Sequence, residues 1–131
     1  MFLYQKLQDL KPVKVVFGNI ETPEMQRELP EIYIESIEGL KFLMIHIAGR
    51  PGRYAKGLTS LLKKEKPDVL ICGHSHILRV ERDPKHELIY INPGAAGQHG
   101  FHRKRTLIRF EIGGGQLNNM EVIELGTRGR A

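Results

Sequence analysis

Residues 69–76 read VLICGHSH, and this stretch decides how the rest of the chain is arranged around it. Val69, Leu70, Ile71 and Cys72 form an apolar, β-branched run too short for a helix, which predicts a buried strand ending at Gly73. His74 and His76 follow at once, one residue apart, where the strand opens into a loop. Imidazole is the commonest nitrogen ligand for borderline metals, and a strand end holds it rigidly. Two loop histidines are as often plain surface residues, so their meaning depends on what converges with them.

Upstream, residues Arg53 to Lys66 carry Tyr54, Leu58, Leu61 and Leu62 at helical spacing. Lys63, Lys64 and Lys66 crowd the end of this segment, where a helix dipole favours cations, and Pro67 stops it. Glu31 to Ile37 alternates, Gly39 predicts a tight turn, and Lys41 to Ile47 forms the second arm of a hairpin that delivers His46. Val13 to Phe17 is a buried-strand pattern ending at Gly18-Asn19. Residues 1–11 place Leu3, Leu7 and Leu10 at helical spacing before Pro12. Downstream lie three further strands, Ile77 to Arg82, Leu88 to Asn92 and Thr106 to Ile112. A Gly113-Gly114-Gly115 turn leads to a last strand, Met120 to Leu125, and a polar tail over 126–131 that frays. Mixed elements early and strands late predict an α/β (α+β) fold, a two-sheet β sandwich flanked by helices, in one domain over 1–131.

With 131 residues, 40% hydrophobic and 27% charged, the composition is that of a soluble globular domain large enough for its own core. No apolar run has membrane-spanning length and the first residues lack the order of a signal peptide, so the expectation is a cytoplasmic protein without a membrane partner. The single cysteine, Cys72, reads as a small core residue. A net charge of +5 favours anionic partners, phosphates in particular. Two basic clusters, His102-Arg103-Lys104-Arg105 and Arg50 with Arg53 and Lys56, read as solvated faces. No nucleic-acid-binding motif accompanies them, so nucleic acid is not an expected partner.

Three strand ends therefore carry ligand-capable residues: Asn19, His46 in MIHIAG, and His74 with His76. Loops converging at one end of a sheet are how such folds build sites. Taken singly, His46 also reads as a hydrogen-bonded core histidine and Asn19 as a turn residue.

Gly18-Asn19, His46, Gly73-His74-Ser75-His76, INPGAAG at 91–97 and the following HGFHRKRTLIRFEI together resemble the calcineurin-like metallophosphoesterases. The likeness is to the small bacterial and archaeal phosphodiesterases of the YfcE type. It implies a two-metal centre that clamps a phosphate and hydrolyses a phosphodiester through metal-activated hydroxide. By that resemblance Asn19, His46 and His74 are ligands of one metal and His76 of the other, with His46, His74 and His76 as the catalytic set. Mn is the first choice, with Ni, Fe or Zn as alternatives. Asn92 with Pro93-Gly94 forms a supporting loop, and Gly73 allows the sharp turn. A small phosphodiester is the implied substrate.

The chain also departs from the family. It contains neither the Asp-x-His nor the Gly-Asp motif, and Ile20 stands where many relatives carry a histidine after the asparagine; Glu21 reads as an exposed turn residue. A strand-helix-strand unit of about 30 residues is missing, so the domain is expected to be incomplete at its N-terminus. Apolar edges such as VKVVF and VLIC should then be exposed, or covered by another copy in a homo-oligomer. An alternative function follows, a non-catalytic scaffold or interaction module on the same fold.

Overall fold

The expected hairpin is present in the computed structural model, which describes residues 11, 13, 14, 16, 31–97 and 104–127. Strands β1 (Ile32–Ile37) and β2 (Leu40–Ile45) pair antiparallel, with Ile37 opposite Leu40. Glu38 and Gly39 between them both adopt positive φ, 49° and 83°, as a tight hairpin turn requires. His46 lies one residue beyond β2. Residues 1–10 of the expected opening helix, Val15 and Phe17 of the expected Val13–Phe17 strand, Asn19 and Glu21 lie outside the described residues, and Val13, Lys14 and Val16 form no strand. Lys14 is described, and its Nζ sits 5.7 Å from the centre of the Tyr33 ring.

Past β2 the structure corrects the sequence reading. The helix does not begin at Arg53. Gly49-Arg50 (β3) and Arg53-Tyr54 (β4) instead form a second, minimal hairpin, and helix α1 runs only over Leu58–Glu65. Backbone conformation explains the difference, because Gly52 and Gly57 both lie at positive φ, 87° and 85°, which a continuous helix excludes. Lys66 closes α1 in a left-handed conformation, donating its backbone N–H to Leu62 O at 2.9 Å, and Pro67 prevents continuation.

Strand β5 (Val69–Ile71) then enters between β2 and β7 (Leu88–Asn92), parallel to both, with β6 (Arg79–Asp83) antiparallel on the outer side of β7. The result is a five-stranded sheet in the order β1-β2-β5-β7-β6. The expectation that VLIC would form an exposed edge is overturned. Val69 and Leu70 are fully buried because β5 has a neighbour on each side. Cys72 is buried too, as expected, and burial pushes its thiol pKa up.

Alternation along these strands sends side chains to two faces. Leu43, Leu70, Leu88 and Tyr90 meet Leu58 and Leu62 of α1 on one face. On the other, Leu40, Phe42, Val69 and Ile91 meet a long antiparallel hairpin formed by β8 (Lys104–Gly113) and β9 (Gln116–Thr127). Phe110 of that hairpin stacks on Phe42 with ring centres 6.2 Å apart. The sheet is thus a central layer with a two-stranded second layer on one side and, among the described residues, a single helix on the other. These layers are the mixed, two-sheet architecture expected from the sequence.

Candidate active site

Parallel pairing of β2 with β5 sets their C-terminal ends side by side, and that is where His46 and His74 emerge. The ladder continues one step beyond the strands, with Gly73 N–H donating to His46 O at 2.9 Å. The two imidazoles meet edge to face, with centroids 5.2 Å apart and planes at 80°. His46 is half-buried and His74 exposed.

Backbone conformation aims the second and third histidines. His74 and His76 adopt positive φ, 68° and 61°, a region that residues with a Cβ rarely occupy. Gly73, expected to make the turn, does not lie in that region. A Cβ there would meet His46 Nδ1 at 3.6 Å, an ordinary contact, so the ring packs against Gly73 without requiring a glycine. Ser75 N–H closes a three-residue turn onto Gly73 O at 2.8 Å, and Ile77 N–H donates to Ser75 Oγ at 3.3 Å.

Asn92 at the end of β7 fixes the loop. Its Nδ2 donates to Gly73 O at 3.2 Å and to Ser75 Oγ at 3.0 Å, while its Oδ1 accepts Gly94 N–H at 3.1 Å. Gly94 in turn has φ +78° and lies so close to Thr106 Oγ1 that no side chain fits there. Thr106 donates its hydroxyl to Pro93 O at 2.7 Å and its N–H to Ala95 O at 2.9 Å. The Asn92-Pro93-Gly94 segment is thereby clamped to β8, as the supporting loop that was expected.

Beside the histidines opens a cleft of about 350 Å³. Arg50 and Arg53 of the β3–β4 hairpin line it together with Ser75, Ile77, Arg79 and Tyr90. Tyr90 O–H donates to Gly49 O at 2.6 Å, tying the β3–β4 hairpin to the sheet, and burial pushes its pKa up. Sequence reading placed Arg50 and Arg53 on a solvated face and did not single out Arg79 or Tyr90. The only available signal was the Gly-Arg-Pro-Gly-Arg spacing that makes the hairpin.

A second group went unnoticed in the sequence. Asp83, buried at the end of β6, accepts Tyr54 O–H at 2.6 Å and pairs with His86 Nδ1 at 3.0 Å through the same oxygen. Its other oxygen accepts Lys85 N–H at 3.0 Å. Burial alone would raise the carboxyl pKa, but these donors outweigh it and hold Asp83 below the usual carboxylate value. His86 Nε2 is buried without a hydrogen-bond partner among the described residues.

A match to the calcineurin-like phosphoesterase superfamily domain covers residues 1–115. The chain belongs to that superfamily. Solved structures of the same fold include an archaeal phosphodiesterase, 20% identical, with TM-score 0.71, covering 95% of this chain and 76% of that one. A Thermotoga maritima protein solved by NMR is 26% identical, with TM-score 0.66 over 95% of this chain and 71% of its own. Vps29 from Entamoeba histolytica, solved with zinc, is 20% identical, with TM-score 0.65 over 92% of this chain and 74% of that one. No curated protein matches the sequence.

Phosphoesterases of this superfamily generally depend on divalent metals, so the donor set can be tested against that need. Two imidazole nitrogens on one tetrahedral transition metal stand about 3.3 Å apart, and rings centred 5.2 Å apart are compatible with that separation. Imidazole nitrogen donors suit a transition metal. Among the described residues, no group of three or more His, Cys, Asp and Glu side chains comes together as a metal cage. The fit is therefore that of a half-site, two donors at one corner, with Asn19 outside the described residues and His76 not joined to the pair as a third ligand of one cage. No helix among the described residues is long and apolar enough to cross a membrane.

Proposed function

We propose that this chain is a metal-dependent phosphoesterase acting on phosphodiesters at the corner between His46 and His74. The observation that carries the reading is the edge-to-face meeting of these two rings at the ends of adjacent parallel strands, in a chain of this superfamily. His46, His74 and Asn19 would hold one divalent metal, Mn first among Mn, Ni, Fe and Zn, and His76 would serve a second. The zinc complex of the Entamoeba neighbour supports a transition metal on this fold. Such a metal supplies Lewis acidity toward a phosphoryl oxygen and acidifies water.

The chain's own groups hold that corner in shape. Asn92 anchors the Gly73 carbonyl and Ser75 on either side of His74, whose backbone, like that of His76, lies at positive φ. Fixed donors need no reorganisation when charge develops, and that is the contribution a rigid loop makes to catalysis.

Elemental analysis of protein purified without chelator, together with hydrolysis of bis(p-nitrophenyl) phosphate in the presence of Mn, tests the reading. Bound metal with turnover that falls on the order of 100-fold or more in His46→Ala and His74→Ala is the expected result. Wild-type turnover in those variants would overturn it.

A second reading is a non-catalytic scaffold, a single domain over 1–131 using the same fold to bind a protein or a second copy. One observation favours it, the likeness to Vps29. One metal or none, without turnover, is the outcome that selects it.

A further inference from the structure

We propose that Arg50, Arg53 and Arg79 form a second anion subsite beside the histidine corner, so that the preferred substrate is a phosphodiester bearing a further phosphoryl group. The substrate assignment rests on the phosphoesterase reading above; the anion site itself does not.

The β3–β4 hairpin has a two-residue loop, Pro51-Gly52, and its register places Arg50 directly opposite Arg53. Like charges directly opposite on a hairpin repel each other. Among the described residues neither guanidinium meets a carboxylate, whereas Arg79, which lines the same cleft, pairs with Glu81 at 2.6 Å. Three guanidiniums therefore share one carboxylate. The hairpin bearing the first two is held firmly, by Tyr90 O–H on Gly49 O at 2.6 Å and by Ala55 N–H on Ala48 O at 2.8 Å. An anion placed between Arg50 and Arg53 removes their repulsion, and a phosphoryl group has the geometry that guanidinium forks bind best.

Ser75 adds a donor. Its Oγ already accepts from Asn92 Nδ2 and from Ile77 N–H, so both lone pairs are engaged and its O–H is left to act as a donor. Ile77, 63% exposed, is the most exposed large apolar residue among those described and offers a wall for the carbon skeleton between two phosphoryl groups. Ser75 stands between His74 and His76 in sequence, so the subsite adjoins the histidine loop. A cleft of about 350 Å³ matches the small end of ligand pockets.

Titration of metal-free protein with inorganic pyrophosphate, followed by amide NMR shifts and calorimetry, tests the site independently of turnover. Shifts at Gly49, Arg53, Ser75 and Ile77 are expected, with affinity falling about tenfold or more in the R50Q/R53Q double variant. K63Q/K85Q serves as the charge control. It removes two cations from another cleft, at the opposite ends of β5 and β7, and should leave the affinity unchanged. Equal loss in both double variants, or shifts absent from the arginine cleft, would overturn the subsite.

A second arm tests the substrate class. With Mn present, the p-nitrophenyl ester of thymidine 5′-phosphate is compared with the same ester carrying a 3′-phosphate. A KM lower by about tenfold for the second ester, with the advantage lost in R50Q/R53Q, is the expected result. Equal KM values would sink the substrate assignment. Absence of turnover on both esters would sink the phosphoesterase reading while the pyrophosphate titration still decides the subsite.

Discussion

Asn92 has its amide engaged at three points while being almost wholly buried. Replacing it with alanine leaves the Gly73 carbonyl and the Gly94 N–H without this partner. We expect Asn92→Ala to destabilise the protein by about 2–4 kcal/mol in urea unfolding, since buried polar groups stripped of partners bear their full desolvation cost. Asp83 governs a different response. Its pKa is lower in the folded chain than in the unfolded one, so its contribution is complete above the unfolded value and is lost as pH falls through the folded value. Unfolding midpoints measured from pH 6 to pH 2 should therefore fall more steeply in the wild type than in Asp83→Asn, from about pH 4 downward. At this scale the sequence revealed the histidines, the asparagine and the buried cysteine. It concealed the left-handed backbone of His74 and His76, because the side chain that ties their loop down, Asn92, comes from another strand and leaves no local signature.

Strand Leu88–Asn92 was legible to the residue, since an apolar run bounded by turn residues has a single reading. The segment after His46 was not. Tyr54, Leu58, Leu61 and Leu62 do share a helical spacing, but Tyr54 reaches the core from a hairpin and only the later residues lie on α1. Periodicity cannot distinguish one helix from a strand and helix that bury the same face, and only the glycines marked the break. Gly49 is the sensitive point of that hairpin, with φ +77° and a would-be Cβ pressed against the Arg53 carbonyl. Gly49→Ala should lower stability by about 1–3 kcal/mol and open the β3–β4 hairpin, read as accelerated amide exchange at Ala55, whose N–H bonds to Ala48 O.

Across the whole molecule the sheet has a helix on one face and the β8–β9 hairpin on the other, and the two cores meet only through the strands. The late run of strands announced a second layer, but not which face it would cover, because that depends on register rather than on composition. Phe110 anchors the hairpin through its stack on Phe42, beside Ile108, Ile112, Leu117 and Met120. Phe110→Ala should cost about 1–3 kcal/mol by chemical denaturation, with the loss confined to amides on β8, β9 and the sheet face they cover. The position of β5 was misjudged for a related reason. A run such as VLIC is as apolar in the middle of a sheet as at its edge, and only its pairing with β2 and β7 determines which.

The bond from Gly73 N–H to His46 O has a kinetic consequence. It is the first rung beyond a parallel ladder whose two strands are separated in sequence by a hairpin and a helix, so it forms only after that long crossover has closed. Non-local closure of this kind is slow and falls late on the folding route. The paired imidazoles therefore come together only once that crossover has closed. Whatever binds them holds shut the last door to close, and so prolongs the lifetime of the native state without hastening its arrival.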